Sequence, residues 1–386
     1  MSETTGPGLP ATRTTLFRHA LRLHQQTPDG PLPRDGEPYP DEERRRREPR
    51  PKRPRDTKLV GADVARILDA HFAGPAAPPS ALNDRFQSIH VPIHHNEHIA
   101  AAALAAGEVR ARQAGRRLVR HGTDTRAVTV GLALLAVVGT VDDIPLIQTV
   151  GLLSCTFGPL AARALERLPG GAEALIWLAE RVSGWGRVYV VEALCRLVDA
   201  HPAVRPWLLR RAADGDFLNG YFVGRVAQVT RLHEVFAESG GDAELVDHTT
   251  RLLHAMTYSD GMGTSLRRYA HANTVLEAHV RLLGRLGPTV ERYFAAATIA
   301  RYLTEETPVE SGETPVESGE SGSGTRREQI RSSYLALLDR EEWCETARDG
   351  LAAEDARLAF LADAVAPELE LRAFRRDRPG ESSVRR

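Results

Sequence analysis

This sequence predicts an all-α fold, an α-solenoid of antiparallel helix hairpins, and three observations carry that prediction. Hydrophobic residues make up 42% of the chain but aromatic ones only 6%. Ala and Leu dominate the apolar set, which favours helix over strand. The run from Leu146 to Leu168 (LIQTVGLLSCTFGPLAARALERL) lies over that from Leu175 to Leu197 (LIWLAERVSGWGRVYVVEALCRL) at a constant offset of 29 residues without a gap. Leu146/Leu175, Ile147/Ile176, Ser154/Ser183, Ala164/Ala193, Leu165/Leu194, Arg167/Arg196 and Leu168/Leu197 coincide. Each copy reads as apolar helix, Gly-containing break, second apolar helix. A helical hairpin recurring at about 30 residues is the signature of stacked repeats.

Taken in order, residues 1–57 are rich in Pro and Gly, with charges of both signs around Arg44–Arg47. Such a segment buries too little apolar surface to offset chain entropy and reads as a disordered tail, with room for a short helix at Leu16–His24. The basic block is flanked by Asp41, Glu42, Glu43 and Glu48, so it reads as self-neutralised, with a nucleic-acid or partner arm as the alternative. From 58 to 304 the helical region begins with an amphipathic stretch at Gly61–Phe72, closed by GPAAPPS. Pro92 suits the first turn of a helix starting near Ile93 and running to about Arg120. Thr125–Val138 follows, and Asp142-Asp143-Ile144-Pro145 then reads as an acidic cap with Pro in the first turn. Ala-Leu recurs at 133–134, 164–165 and 193–194, which makes Thr125–Val138 the second helix of a more diverged preceding unit.

Beyond Leu197 the copies blur while helix-turn spacing persists, at about Pro202–Ala213, Phe217–Ala237, Asp242–Tyr258, Leu266–Leu286 and Thr289–Thr304. The separators DGD, SGGD, SDGMG and GP are plausible turns. Residues 305–325 contain the tandem duplication ETPVESG-ETPVESG and read as an acidic low-complexity linker. A C-terminal helical pair is expected at 326–376, either docked on the preceding helices or separate, followed by a polar tail at 377–386.

A formal net charge of −1 indicates no global field for nucleic acid or an acidic membrane. Cys155, Cys195 and Cys344 are far apart and form no CxxC, which fits a reducing, cytoplasmic setting. The N-terminus has no charged region followed by an apolar run, so no secretory signal is expected. The most hydrophobic stretch, Ala127–Val141, stops at Asp142-Asp143, short of the roughly 20 residues a bilayer span needs. No membrane association is expected.

The Gly-punctuated tandem helices, the AL-x-R-L helix ends and the Asp-x-Pro helix start resemble HEAT or armadillo-type repeats over residues 95–303. That resemblance implies a right-handed superhelix of antiparallel helix pairs with a concave binding face. It also implies a scaffold or adaptor without catalytic activity, as most members of that superfamily are.

The candidate partner-binding residues are aromatic. Trp177, Trp185 and Trp207 fall close together, with Tyr189, Phe217, Tyr221 and Phe222 nearby and Arg181, Arg187, Arg205, Arg210 and Arg211 interleaved. Rings beside Arg form protein hot spots or stack bases, and the bland alternative is that they fill gaps between helices. Trp177 and Trp185 replace Gln148 and Thr156 at matched repeat positions, so those positions need not face a core. A second cluster is His90, His94, His95, Glu97 and His98. On one helix His94 and His98 would sit a turn apart at metal-ligand spacing, but no further ligand is near, so no metal or other cofactor is expected. Glu97 with His98 is the acid–base alternative.

No GxxxxGK[ST], GxGxxG or GxSxG motif occurs, and no catalytic residue is assigned. Three readings follow. The first is a scaffold binding a protein or peptide on a concave face. The second is a nucleic-acid-acting protein resembling the HEAT-like alkylpurine DNA glycosylases, with Trp177, Trp185, Tyr189 and Asp214 or Asp216 as candidates. Residues 58–303 hold 26 basic against 23 acidic side chains, too balanced for strong phosphate binding. The third is a metal-dependent enzyme on the histidine cluster. The scaffold is the preferred reading.

Overall fold

Short polar side chains placed before apolar runs set several of the helix starts, because a hydroxyl, carboxylate or amide oxygen there accepts a first-turn N–H that has no helical partner. The computed structural model describes residues 13–49, 51–74, 82–238, 240–304 and 320–375. Among the described residues the protein is all-helical and contains no strand. It divides into two compact units, the first ending at Val204 and the second beginning at Arg205.

The first unit contains α1 (Leu16–Gln26), α2 (Glu42–Arg47), α3 (Ala62–Ala73), α4 (Glu97–Ala105), α5 (Glu108–His121), α6 (Thr125–Val138), α7 (Ile144–Gly151), α8 (Ser154–Glu166), α9 (Gly171–Ala179) and α10 (Gly184–Leu197). Asn96 Oδ1 accepts from Ile99 N at the start of α4, and Asp124 Oδ1 accepts from Arg126 N and Ala127 N at the start of α6. A capping box joins Thr140 and Asp143 ahead of α7, where the sequence placed an acidic cap. Two rows of helices result. In one, α4, α6, α8 and α10 pack successively side by side; in the other, α5, α7 and α9 do the same. Gly158 and Gly186 let α8 and α10 approach closely. A Cβ on Gly186 would lie 1.9 Å from Ser154 Oγ, and one on Gly158 would lie 3.6 Å from the Gly186 Cα.

Residues 13–49 correct the expectation of a disordered tail. Leu16, Ala20, Leu32 and Tyr39 are buried, and α1 lies against α5 and α7. Composition misleads here because the few apolar residues are concentrated on contact faces and the charges are spent locally. Asp35 Oδ1 accepts from Ser154 N (2.9 Å) and Ser154 Oγ (2.5 Å), and its Oδ2 from Cys155 N (2.7 Å). It therefore satisfies the first turn of α8 from 119 residues away. Asp41 Oδ2 likewise accepts from Thr125 N (2.7 Å) and Thr125 Oγ (2.6 Å) at the head of α6. Arg44 pairs with the fully buried Asp124, and Arg45 with Asp41. Carboxylates at two helix N-termini also complement the helix dipoles.

The helix expected from Ile93 to Arg120 is two helices, because Asn96 caps α4 and Gly107, at φ +83°, breaks the chain before α5. Pro92 and His94 lie in the loop ahead of them.

The second unit holds α11 (Val204–Arg211, starting at the boundary), α12 (Val223–Val229), α13 (Leu232–Ala237), α14 (Ala243–Thr257), α15 (Ala272–Leu286), α16 (Val290–Thr304), α17 (Glu320–Leu338), α18 (Glu341–Ala352), α19 (Ala356–Phe360) and α20 (Ala366–Leu369). Rows recur, with α12, α14, α16 and α18 in one and α13, α15 and α17 in the other. The expected helix Phe217–Ala237 is instead a 3-10 turn at Phe217–Tyr221 followed by α12 and α13, with Arg231 at φ +52° between them. Most of the acidic linker, residues 305–319, and the tail from 376 lie outside the described residues, while Glu320 already belongs to α17.

The C-terminal helices dock on their own unit. The His279 ring is fully buried between α14, α15 and α17, with Thr250 Oγ 2.8 Å from Nε2 and the Tyr334 hydroxyl 2.7 Å from Nδ1. Thr250 Oγ donates to Val246 O (2.8 Å), so it accepts from Nε2–H, and the Tyr334 hydroxyl donates to Nδ1. That neutral tautomer satisfies the whole chain of groups.

Candidate partner-binding surface

Trp185 is held on the first turn of α10, where Gly184 and Gly186 flank it and Gly186 is pressed against Ser154. Its ring is 38% exposed and stacks on Tyr189, one turn on, at 6.0 Å between centroids and 24° between planes. His94, from the loop before α4, meets the other ring edge-on at 5.6 Å and 76°. His94 stands in the sequence among histidines, and the fold delivers it to the aromatic cluster. Glu192, a further turn along α10, has its pKa raised by burial, partly offset by Arg196 and His94. The surface is thus three rings with one carboxylate beside them, two rings and the carboxylate on α10 and the third from the loop before α4.

The matched repeat positions behave as their polar counterparts suggested. Gln148 and Trp177 are both half-exposed; Thr156 is half-exposed and Trp185 exposed. Trp177 nevertheless serves the fold. His24 of α1 packs edge-on to its ring at 5.3 Å, and Arg181 lies over it at 4.5 Å from the centroid. Arg181 also donates to Pro28 O at 2.8 Å, so the N-terminal segment covers this pair. Arg187 is buried and donates from Nη1 to Ala179 O at 2.8 Å, closing the C-terminal end of α9. An arginine satisfying the carbonyls at a helix end is a structural arrangement.

Trp207 and Tyr221 belong to the second unit. Trp207 is buried, at 8% exposure, which removes it from any contact surface; Tyr221 is half-exposed on the 3-10 turn. Asp214 and Asp216 are loop-forming: Asp214 Oδ1 accepts from Asp216 N and from Asn219 Nδ2, and Asp216 Oδ1 accepts from Leu218 N.

The histidine cluster is dispersed. His94 faces Tyr189, His95 Nε2 is 3.2 Å from Glu97 Oε1, and His98 Nε2 donates to Lys58 O at 2.7 Å. The expected one-turn spacing of His94 and His98 fails because Asn96, between them, is the cap of α4. Among the described residues no group of three or more His, Cys, Asp or Glu could hold a metal ion. Cys155 lies near Tyr189, and its pKa is pushed up to about 11 by burial and then by Asp35 and Glu37. A nucleophilic cysteine needs the opposite environment.

Among the described residues no helix is long and apolar enough to cross a membrane. No protein-family model, curated protein or solved structure matches this chain.

Proposed function

We propose that this chain is a non-catalytic scaffold of stacked helix hairpins, HEAT- or armadillo-like, that takes a protein or peptide partner on the α10 surface around Trp185. The observation that carries this reading is a tryptophan ring left 38% exposed on a helix whose close packing fixes it in place. An exposed Trp on a closely packed helix, backed by Tyr189 and His94, has the make-up of a binding anchor, since Trp and Tyr dominate interface hot spots and lose little entropy on contact. The solenoid part of the proposal draws support from the two-row packing in each unit and from the 29-residue repeat. A cytoplasmic setting accords with three free cysteines.

The test is affinity capture with the full chain and with Trp185→Ala, with nuclease treatment in parallel and thermal melting of both proteins. A defined protein partner captured by the native chain and lost with Trp185→Ala, at unchanged melting temperature, supports the proposal. Capture that disappears on nuclease treatment refutes it in favour of nucleic acid.

A further inference from the structure

The second unit carries an exposed ring that its own packing does not require. Phe217 is 63% exposed and begins a line of five rings. It stacks on Tyr258 at 5.4 Å and 14°. His254 stands edge-on to Tyr258 (5.4 Å, 76°) and to Phe294 (5.2 Å, 67°). Phe294 in turn meets Phe360, 48% exposed, at 6.4 Å and 62°. The line crosses the 3-10 turn, α14, α16 and α19.

The loop bearing Phe217 is fixed. Buried Asn219 accepts from Asp214 N (2.9 Å) and Gly215 N (3.2 Å) and donates from Nδ2 to Asp214 Oδ1 (2.9 Å). The neighbouring loop after Tyr258 is pinned to it: a Cβ on Gly263 would lie 2.6 Å from Gly220 O, and one on Gly224 would lie 2.4 Å from Thr264 O. Met262 N and Gly263 N both donate to Ser259 O, and Ser259 Oγ to Ala255 O. An apolar ring held this firmly in water is a preorganised contact.

Charge selects its occupant. Asp216 precedes Phe217, Asp260 is exposed two residues beyond Tyr258, and Asp214 lies in the same loop. Asp216 and Asp214 both act on the Tyr258 hydroxyl, raising its pKa after burial has done so. Further along the line the charges cancel: Arg251 pairs with Glu291 (2.7 Å) and Arg357 with Asp355 (2.7 Å). The exposed end carries two stacked rings with Asp216 and Asp260 close to them in sequence.

We infer that the Phe217–Tyr258 end of this line binds an arginine side chain of a partner peptide, the guanidinium lying flat on Phe217 with Asp216 and Asp260 beside it. Arg suits the site better than Lys because its planar, weakly hydrated cation stacks on a ring face while still pairing with carboxylates. This surface belongs to the second unit and the one at Trp185 to the first, and either proposal survives the failure of the other.

The test is fluorescence anisotropy of the full chain with a labelled peptide of alternating Gly and Arg, the same peptide with Lys for Arg, and an acidic peptide. The Arg peptide should bind saturably and more tightly than the Lys peptide. Phe217→Ala should weaken it about tenfold or more, an expected loss for an exposed anchor ring. Asp216→Asn, which keeps the Leu218 cap, should weaken it about threefold and reduce the salt dependence. Circular dichroism melting of both variants should match the native chain. Equal affinity for the Arg and Lys peptides, an unchanged affinity with Phe217→Ala, or preference for the acidic peptide would each overturn the inference.

Discussion

Removing the Asp35 carboxylate should unfold the first unit more easily by an amount that the side chain's bonds set. Asp35 accepts three hydrogen bonds from Ser154 and Cys155, and Ser154 is fully buried. Loss of a capping side chain costs about 1 kcal/mol, and leaving a buried donor unsatisfied adds about 1–3 kcal/mol. Asp35→Gly should therefore cost about 3 kcal/mol. Asp35 sits at φ +53°, in the left-handed region that Asp and Asn tolerate and Ala does not. Asp35→Ala should cost about 1 kcal/mol more than Gly, and Asp35→Asn, with one acceptor left, about 1–2 kcal/mol. For a unit of this size each kcal/mol moves the melting temperature by about 2–4 °C. Differential scanning calorimetry should show the order native, Asn, Gly, Ala. A second readout is independent of unfolding: Asp35 helps hold up the Cys155 pKa, so iodoacetamide should alkylate Cys155 faster in Asp35→Asn. An Asp35→Gly chain within about 0.5 kcal/mol of native would refute the capping role.

Other expectations concern single residues. Trp207→Ala should cost roughly 3–5 kcal/mol in urea unfolding because the ring is buried, whereas Trp185→Ala should cost under about 1 kcal/mol. Acid should weaken the second unit through His279, whose pKa burial pushes down to about 3 from 6.5. The unfolded chain takes up that proton near 6.5 and the folded chain only near 3, so stability is full above pH 6.5 and falls as pH drops through that window. The loss by pH 5 is about 2 kcal/mol, and urea titrations from pH 7.5 to 5 should show a flatter slope for His279→Gln. Tyr334→Phe should cost about 1–3 kcal/mol by leaving Nδ1 of His279 without its donor, while a neutral result would remove the hydroxyl from the docking of α17.

How much was legible depended on whether the deciding interaction was local. The hairpins α7–α8 and α9–α10 follow from residues within about 30 positions of one another, and the 29-residue offset exposed them. Position matching to polar Thr156 even suggested that Trp185 need not face a core, and the ring is exposed. What failed was long-range. Residues 13–49 read as a tail because nothing in them signals that Asp35 and Asp41 will meet helix starts at Ser154 and Thr125. His94 grouped with its neighbouring histidines, a weak metal candidate at most, because its ring partner, Tyr189, is 95 residues further on. Trp207 and Trp185 are chemically alike in sequence, and only packing separates the buried ring from the exposed one. Phe217 was noted as one of several rings, yet its exposure rests on Asn219 being buried beneath the loop, which no periodicity reveals.

The bond between Asp35 and Ser154 has a consequence for the order in which the chain can be built. At about 5–20 residues per second, a ribosome delivers Ser154 roughly 6–24 s after Asp35, across the 119 positions between them. For most of that interval Leu16, Ala20, Leu32 and Tyr39 have no complete core to enter, since α5 ends only at His121, α7 only at Gly151, and α8 begins at Ser154 itself. Closing so long a loop costs only about 0.6 kcal/mol more for each doubling of its length, so the finished first unit tolerates the separation well. The burden is one of timing: this segment waits for a helix made more than 100 residues later before it is enclosed, and until then it is a natural substrate for chaperones and proteases.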